Sequence, residues 1–268
     1  LKSFRYKQSL GQNFIYDSHL LHSLLDRTTI GHEDTVLEVG AGRGDLSLAL
    51  AARCKQVVTI EIDERLQPVL EDRFSSWPSI RLVMGDAMAL DLAGLMAPYG
   101  PFHIAANLPY YLTTPLLNHF FRLPLPPVSI NVMVQKEAGL RVLARPGSPD
   151  YGPLAVRAAY WGKAVLAARV PAGAFTPPPK VDSSFLVIQR HERLESSPQD
   201  EAVFHKLVTA AFAMRRKTLA NNLVAAFAIS REQVGHHLRA AGLDGHIRGE
   251  ALSLADFIRL SDLLTQST

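Results

Sequence analysis

The sequence predicts an α/β domain, a mainly parallel sheet with helices on both faces, followed by a small all-helical domain. Three observations carry this. From residue 35 to residue 134 short apolar runs alternate with segments of helical spacing, the pattern of parallel strands joined by crossover helices. A glycine-rich turn, Glu38-Val39-Gly40-Ala41-Gly42-Arg43-Gly44, joins the first of those runs to its helix. After His191 no strand signal returns, and a polar stretch over 192–199 leads only into helical segments. The 268 residues therefore divide into an expected ligand-binding domain, 1–191, and an expected helical domain, 192–268.

In order along the chain, residues 1–16 are basic and aromatic, with Lys2, Phe4, Arg5, Tyr6 and Lys7 ahead of Gln12-Asn13-Phe14. Residues 17–30 read as a helix, because Leu20, Leu21, Leu24 and Leu25 fall at helical spacing behind Asp17 or Ser18 as cap. Strands are expected at Thr35–Val39, Gln56–Ile60, Ile80–Met84, Phe102–Ala106 and Ser129–Val134. Helices are expected at Asp45–Arg53, Arg65–Phe74 and Thr114–Phe121. Lys163–Val170 and Ser184–Gln189 read as later strands adding an antiparallel edge. Between them Phe175-Thr176-Pro177-Pro178-Pro179-Lys180 is too rich in proline for a helix or a central strand. Four helices follow, at about 200–213, 217–227, 231–241 and 253–265, and no internal repeat is present.

Composition narrows the function classes. The formal net charge of +3 permits an acidic partner such as nucleic acid, so the placement of the charges matters more than their total. Cys54 is the only cysteine, which rules out an internal disulfide and a cysteine-based metal cluster and suits a reducing compartment, so a cytoplasmic location is expected. No apolar run is long enough to span a membrane and no signal-like start is seen, so no membrane partner is expected. His103 and His119 lack the spacing of metal ligands, and no metal is expected.

The glycine turn lets the backbone bend sharply and approach a ligand closely. It is not the dinucleotide fingerprint, because Asp45 stands where that pattern has its last glycine, and no phosphate-loop lysine follows. The second strand ends in Glu61-Ile62-Asp63. A carboxylate at that tip can accept both ribose hydroxyls of an adenosine, which makes Glu61 the expected ribose ligand, with Ile62 beside it. The third strand is followed by Gly85-Asp86-Ala87-Met88. Asp86 is the expected acceptor for an adenine amino group, with Ala87 and Met88 as apolar walls. With Gly40 and Gly42, these residues describe a site for an adenosine-containing ligand at the carboxyl ends of adjacent strands. The lack of a basic cluster for a pyrophosphate favours S-adenosyl-L-methionine over a dinucleotide.

Asn107-Leu108-Pro109-Tyr110 closes the fourth strand. It brings together an amide oxygen, a turned backbone with an available carbonyl and an aromatic face. Asn107 and the Leu108 carbonyl can each accept one hydrogen of an exocyclic amine, Pro109 fixes the turn, and Tyr110 offers a stacking surface for a base. Phe175 is the expected second face of that base pocket. Arg215-Arg216-Lys217, placed at the start of a helix, is the natural cluster for phosphate contacts. With Lys2, Arg5, Lys7, Lys136, Arg141, Arg145 and Lys180 it is expected to form a basic surface.

These motifs resemble those of the bacterial small-subunit rRNA adenine N6,N6-dimethyltransferases. The resemblance covers nearly the whole chain. It rests on Leu10–Phe14, Glu38–Gly44, Glu61–Asp63, Gly85–Ala87, Asn107–Tyr110, Gln135–Glu137, Tyr151-Gly152, Phe175–Asp182 and Phe212–Leu219. Two departures stand out: Tyr111, where an asparagine is common, and Gly152-Pro153-Leu154, which replaces a more polar variant. The resemblance implies a class I methyltransferase fold (Rossmann-like) with a helical C-terminal domain. It also implies dimethylation of two adjacent adenosines in the 3′-terminal hairpin of small-subunit rRNA during ribosome biogenesis, by a monomer acting on the immature subunit. By residue match Asn13, Ile15, Gly40, Glu61, Asp86 and Asn107 would contact S-adenosylmethionine or line its site. The rival readings are a large-subunit rRNA adenine methyltransferase of the macrolide-resistance type, an organellar relative with a role in transcription, and a non-catalytic ribosome assembly factor on the same scaffold.

Overall fold

The computed structural model describes residues 13–194 and 196–266. They form two compact units, one running through Gly139 and including Lys163–Arg190, the other made of Leu140–Gly162 and the chain from His191 onward.

In the first unit the chain enters through helix α1 (Ser18–Leu25), whose first turn is capped by Asp17 through the backbone N–H of Leu20. It then alternates β1 (Thr35–Val39), α2 (Asp45–Ala51), β2 (Gln56–Glu61), α3 (Gln67–Phe74), β3 (Ile80–Met84), α4 (Leu92–Met96), β4 (Phe102–Asn107), α5 (Thr113–Phe120), β5 (Ser129–Gln135) and α6 (Lys136–Val142). After α7 (Pro153–Trp161), two further strands complete the sheet, β6 (Gly162–Val170) and β7 (Ser183–Arg190). The sheet order is β3-β2-β1-β4-β5-β7-β6. The first five strands pair in parallel, and β7 runs antiparallel to β5 with Met133 opposite Phe185. Every residue of β1 is buried, as expected for a central strand covered on both faces. The chain leaves β1 outward to β2 and β3, then returns to β4 on the other side. The crevice at the carboxyl ends of β1 and β4 is therefore the topological switch point, the place where open α/β sheets take ligands.

The second unit contains α7 with α8 (Glu201–Ala211), α9 (Leu219–Phe227), α10 (Arg231–Ala240) and α11 (Leu254–Thr265). Ser230 and Ser253 each open a helix with a complete capping box, to Gln233 and Asp256 respectively. The division falls at His191, within a residue of the expected boundary, but Leu140–Gly162, expected in the first domain, groups with the helical unit. Helix α7 packs with the helical unit: Tyr151, Ala155 and Val156 are buried in one cluster with Phe204, Leu207 and Phe257, and the Tyr151 hydroxyl donates to the Leu252 carbonyl at 2.8 Å. An apolar helix joins whichever core its face meets, and sequence distance does not decide this.

Candidate functional site

The site grows out of the turn after β1. Gly40, Gly42 and Gly44 all have positive φ, +86°, +56° and +88°, so the loop folds into a conformation that side chains disfavour. Gly40 and Ala41 donate their backbone N–H groups to the Ile60 carbonyl, pinning the loop on β2. At Gly42 the lack of a side chain is a packing requirement as well, because a Cβ there would fall 2.6 Å from Cε1 of Phe14.

Glu61 ends β2 and is 5 % exposed. Its Oε2 accepts from the Gly42 N–H at 2.7 Å and its Oε1 from the Asp63 N–H at 2.8 Å. Burial raises its pKa, while those two backbone N–H groups act in the opposite sense. A carboxylate offers about four acceptor sites, and two backbone donors leave about two for ligand hydroxyls.

Asn107 ends β4. Its Nδ2 donates to the Asn13 carbonyl at 2.7 Å, so Oδ1 is the amide atom left to face the cavity. Leu108 is buried and its N–H is held by the Met133 carbonyl at 3.0 Å. The Pro109 carbonyl accepts from the N–H of Leu112 and the hydroxyl of Thr113, which closes the turn. The Tyr110 hydroxyl shares a 3.1 Å hydrogen bond with Ser183 Oγ, and burial raises the phenol's pKa.

A cavity joins these parts. Asn13, Ile15, Gly40, Gly42, Glu61, Ile62, Asn107 and Pro109, all expected at the site, line it. Ile62 is half exposed at its rim. Asp86 and Ala87 follow β3 on the same edge of the sheet but do not line the cavity. Asp86 is exposed and its Oδ1 accepts the Met88 N–H at 2.8 Å, while Ala87 is buried. Phe175 is not brought to the cavity either. It is 2 % exposed and packs in the apolar cluster of Ile15, Val170 and Val187, so its ring serves the core and not the open face of a base. What the proline-rich segment does contribute is Thr176, whose backbone pairs with Phe14 in both directions.

Arg215, Arg216 and Lys217 are exposed, but they lie in a turn and not on a helix: α9 begins at Leu219, with Thr218 as its N-cap. Arg215 donates to the Pro149 carbonyl at 2.8 Å. Lys180 and Lys136 are exposed in the sheet unit. Lys2, Arg5 and Lys7 lie outside the described residues.

Sequence reasoning missed several cavity residues. Phe14 roofs Gly42, and Arg43 places its guanidinium 5.3 Å from the centre of the Tyr16 ring. Leu21 and Leu25 of α1, Asn131 of β5 and Phe185 of β7 also line the cavity. The one available signal was Asn131, an amide in an otherwise apolar strand. Among the described residues no group of three or more His, Cys, Asp or Glu side chains is arranged to hold a metal ion, and no helix is long and apolar enough to cross a membrane.

A glycine turn after β1, an acid ending β2 and a cavity at the β1/β4 switch point, on a sheet of this order, define a class I methyltransferase. The fold is shared with a crystal structure of a dimethyladenosine transferase from Plasmodium falciparum, at TM-score 0.75 and 23 % identity over 92 % of this chain and 95 % of that one. It is shared also with the 23S rRNA methyltransferase ErmE, at TM-score 0.70 and 25 % identity over 95 % and 100 %. The ribosomal RNA adenine dimethylase family matches residues 3–266, and the chain belongs to that family of S-adenosylmethionine-dependent rRNA methyltransferases. Similar proteins include ribosomal RNA small subunit methyltransferase A of Shouchella clausii, 41 % identical over 267 residues and covering 97 % of this chain and 90 % of the relative. The protein of the same name from Streptococcus gordonii is 39 % identical over 268 residues, covering 97 % and 92 %.

Proposed function

We propose that this chain transfers methyl groups from S-adenosylmethionine to N6 of two adjacent adenosines in the 3′-terminal hairpin of small-subunit rRNA, converting each to the dimethyl form. The observation that carries the reading is the Asn107 amide, whose nitrogen is tied back to Asn13 so that its oxygen is presented as an acceptor. The small-subunit assignment is supported by the names of the relatives at about 40 % identity over nearly the whole chain.

The donor supplies a methyl group already activated on a sulfonium. The chain's residues have to position and shape the acceptor. The N6 lone pair of adenine is delocalised into the ring and is a poor nucleophile. In the first transfer Asn107 Oδ1 and the Leu108 carbonyl each accept an N6 hydrogen, and in the second the one remaining hydrogen is accepted by one of them; this draws the nitrogen toward tetrahedral geometry and aims its lone pair at the methyl group. In each transfer an N–C bond forms, the S–CH3 bond breaks and one N6 proton is lost. Tyr110, held by Ser183, stacks on the base and is worth about 1–3 kcal/mol. A paired or stacked adenosine has to leave its stack to reach this turn. Glu61 takes the ribose hydroxyls of the donor. Asp86, following the neighbouring strand, takes the adenine amino group through the carboxylate oxygen that does not close its own turn. The exposed Arg216 and Lys217 engage rRNA phosphates, and the protein works as a monomer on the immature subunit in the cytoplasm.

The test offers unmethylated small subunits and large subunits together, with labelled S-adenosylmethionine, and maps the modified nucleotides by mass spectrometry. Dimethyladenosine is expected at two adjacent positions near the 3′ end of small-subunit rRNA. Label confined to large-subunit RNA overturns the assignment.

A further inference from the structure

The turn that follows β4 carries two tyrosines side by side, and the fold treats them differently. Tyr110, Tyr111 and Leu112 form a single 3-10 turn. The Leu112 N–H and the Thr113 hydroxyl both donate to the Pro109 carbonyl and close it. Helix α5 follows at once, with Thr113, Leu116, Leu117 and Phe120 buried, so the backbone of the turn is anchored. Such a turn takes about three residues, which sets adjacent side chains about 120° apart. Tyr110 is turned to β7, where its hydroxyl meets Ser183 Oγ at 3.1 Å. Tyr111 therefore points a third of a turn away from it.

At 55 % exposed, Tyr111 is the most exposed large apolar side chain among the described residues. No ring contact or side-chain hydrogen bond joins it to another described residue. A single exposed apolar side chain is ordinary on a protein surface. What sets this one apart is its place and its ring. It stands one residue from Tyr110, about 3.8 Å at Cα, on the anchored turn beside the cavity that Asn107 and Pro109 line. A tyrosine has only two χ angles, so holding its ring against a partner costs little conformational freedom.

We propose that Tyr111 is an RNA-binding residue whose ring is the stacking platform for the nucleobase next to the adenosine that Tyr110 holds. The inference rests on the function proposed above. Drawing one adenosine out of its stack strips the neighbouring base of a partner and opens a flat apolar face to water. A second aromatic face, one residue along the turn, covers it. Stacking accepts any base, because every base has a π-face. With two adjacent targets, the same platform serves each transfer in turn, holding the nucleotide that lies on its side of the pocket. It thereby fixes the polarity with which the strand crosses the turn. The ring does this work and the phenol hydroxyl has no part in it.

The experiment uses unmethylated small subunits in three forms: intact, and with an abasic ribose in place of one or the other of the two adenosines. For wild type, Tyr111→Phe and Tyr111→Leu, kcat/KM is measured for transfer to each adenosine present, and S-adenosylhomocysteine affinity is measured by calorimetry. On intact subunits Tyr111→Leu is expected to lower kcat/KM by roughly five- to hundredfold, the range of one base–aromatic stack. Tyr111→Phe should stay within about threefold of wild type, and donor affinity should stay within about threefold in both variants. On one of the two abasic subunits wild type should slow to the rate of Tyr111→Leu, which has nothing further to lose there. A phenylalanine variant as slow as the leucine one, or a leucine variant as fast as wild type, overturns the proposal. So does a leucine deficit that persists undiminished on both abasic subunits, which would put a ribosomal protein or the RNA backbone against the ring. If Tyr111→Leu does not fold, Tyr111→Asn takes its place with the same expected results. No transfer by wild type to either small-subunit adenosine would instead sink the function proposed above, whatever the variants do.

Discussion

Glu38→Gln is expected to make the protein more stable at alkaline pH and to leave it little changed in acid. Glu38 is the fourth residue of β1 and is completely buried. The Ser47 hydroxyl donates to its Oε2, and Oε1 has no hydrogen-bond partner. Burial pushes its carboxyl from the ordinary 4.5 up to about 8, against the pull of the Ser47 and Thr59 hydroxyls and with Glu61 and Asp45 adding in the same sense as burial. Between those two values the folded chain holds a proton that the unfolded chain has released, so stability falls as pH rises through the window. At about 1.4 kcal/mol per pH unit, the loss from pH ~5 to pH ~8 is roughly 3–4 kcal/mol. Glutamine has nearly the same shape, is neutral at every pH and escapes this loss. Urea unfolding of both proteins at pH ~5, ~6.5 and ~8 reads the effect, and the stability gap should move toward the variant by roughly 3–4 kcal/mol across the series. A gap that stays constant within about 1 kcal/mol refutes the claim that the fold holds Glu38 protonated.

Asn107→Ala should lower methyl transfer by at least about a hundredfold while S-adenosylhomocysteine affinity stays within roughly threefold, because the amide acts on the acceptor amine. Unchanged turnover would remove Asn107 from the mechanism. Gly42→Ala places a Cβ 2.6 Å from Phe14 in a backbone of φ +56°. The left-handed conformation alone costs about 1–2 kcal/mol, so calorimetry should show donor affinity reduced by about tenfold or more. Wild-type affinity would mean that the loop and Phe14 adjust freely. Reversing the charges at Arg216 and Lys217 should weaken rRNA binding and reduce the slope of log K against log salt by about 1.5–2, the contribution of two phosphate contacts. A slope that does not change assigns the basic turn another role.

The sheet and half of the site were legible because they rest on local signals. Strands β1, at the centre of the sheet, and β3, at its edge, have the bounds their apolar runs predicted, since a polar residue before each run and a glycine after it leave little freedom in where the strand starts and stops. The glycine turn and the acid at the tip of β2 are read from adjacent residues and meet as expected, through the Gly42–Glu61 hydrogen bond. What escaped depends on distant contacts. The sequence Pro153–Trp161 is mostly alanine and apolar residues, and only the surface it meets shows which unit it joins. Phe175 was expected at the base pocket because aromatic rings stack on bases, yet the same ring is a large apolar body, and burial in the core won. The basic tripeptide was expected at the start of a helix, but that helix begins only at Leu219, with Thr218 at its N-cap position, and the tripeptide lies in the turn before it.

The antiparallel strand β7 explains why a segment so far along the chain reaches the turn Asn107–Tyr110 at all. In a wholly parallel sheet every strand would begin at the edge remote from the ligand crevice. Because β7 runs the other way, its first residue, Ser183, stands opposite Gln135, the last residue of β5. That puts Ser183 at the cavity edge of the sheet, where its hydroxyl meets Tyr110. The preceding proline-rich segment is carried to the same edge, where Thr176 pairs with Phe14 and so braces the stretch whose Asn13 carbonyl holds Asn107. The turn Asn107–Tyr110 is therefore steadied from three sides: by Asn13 on the amide, by Met133 on the Leu108 N–H and by Ser183 on the tyrosine. Two of those three supports come from the β5–β7 pair. Ser183→Ala should accordingly leave donor affinity intact and lower transfer, by freeing the ring that Tyr110 offers to the base. Equal loss of donor binding and transfer in a single-turnover assay would show that the hydroxyl supports the fold instead of the ring.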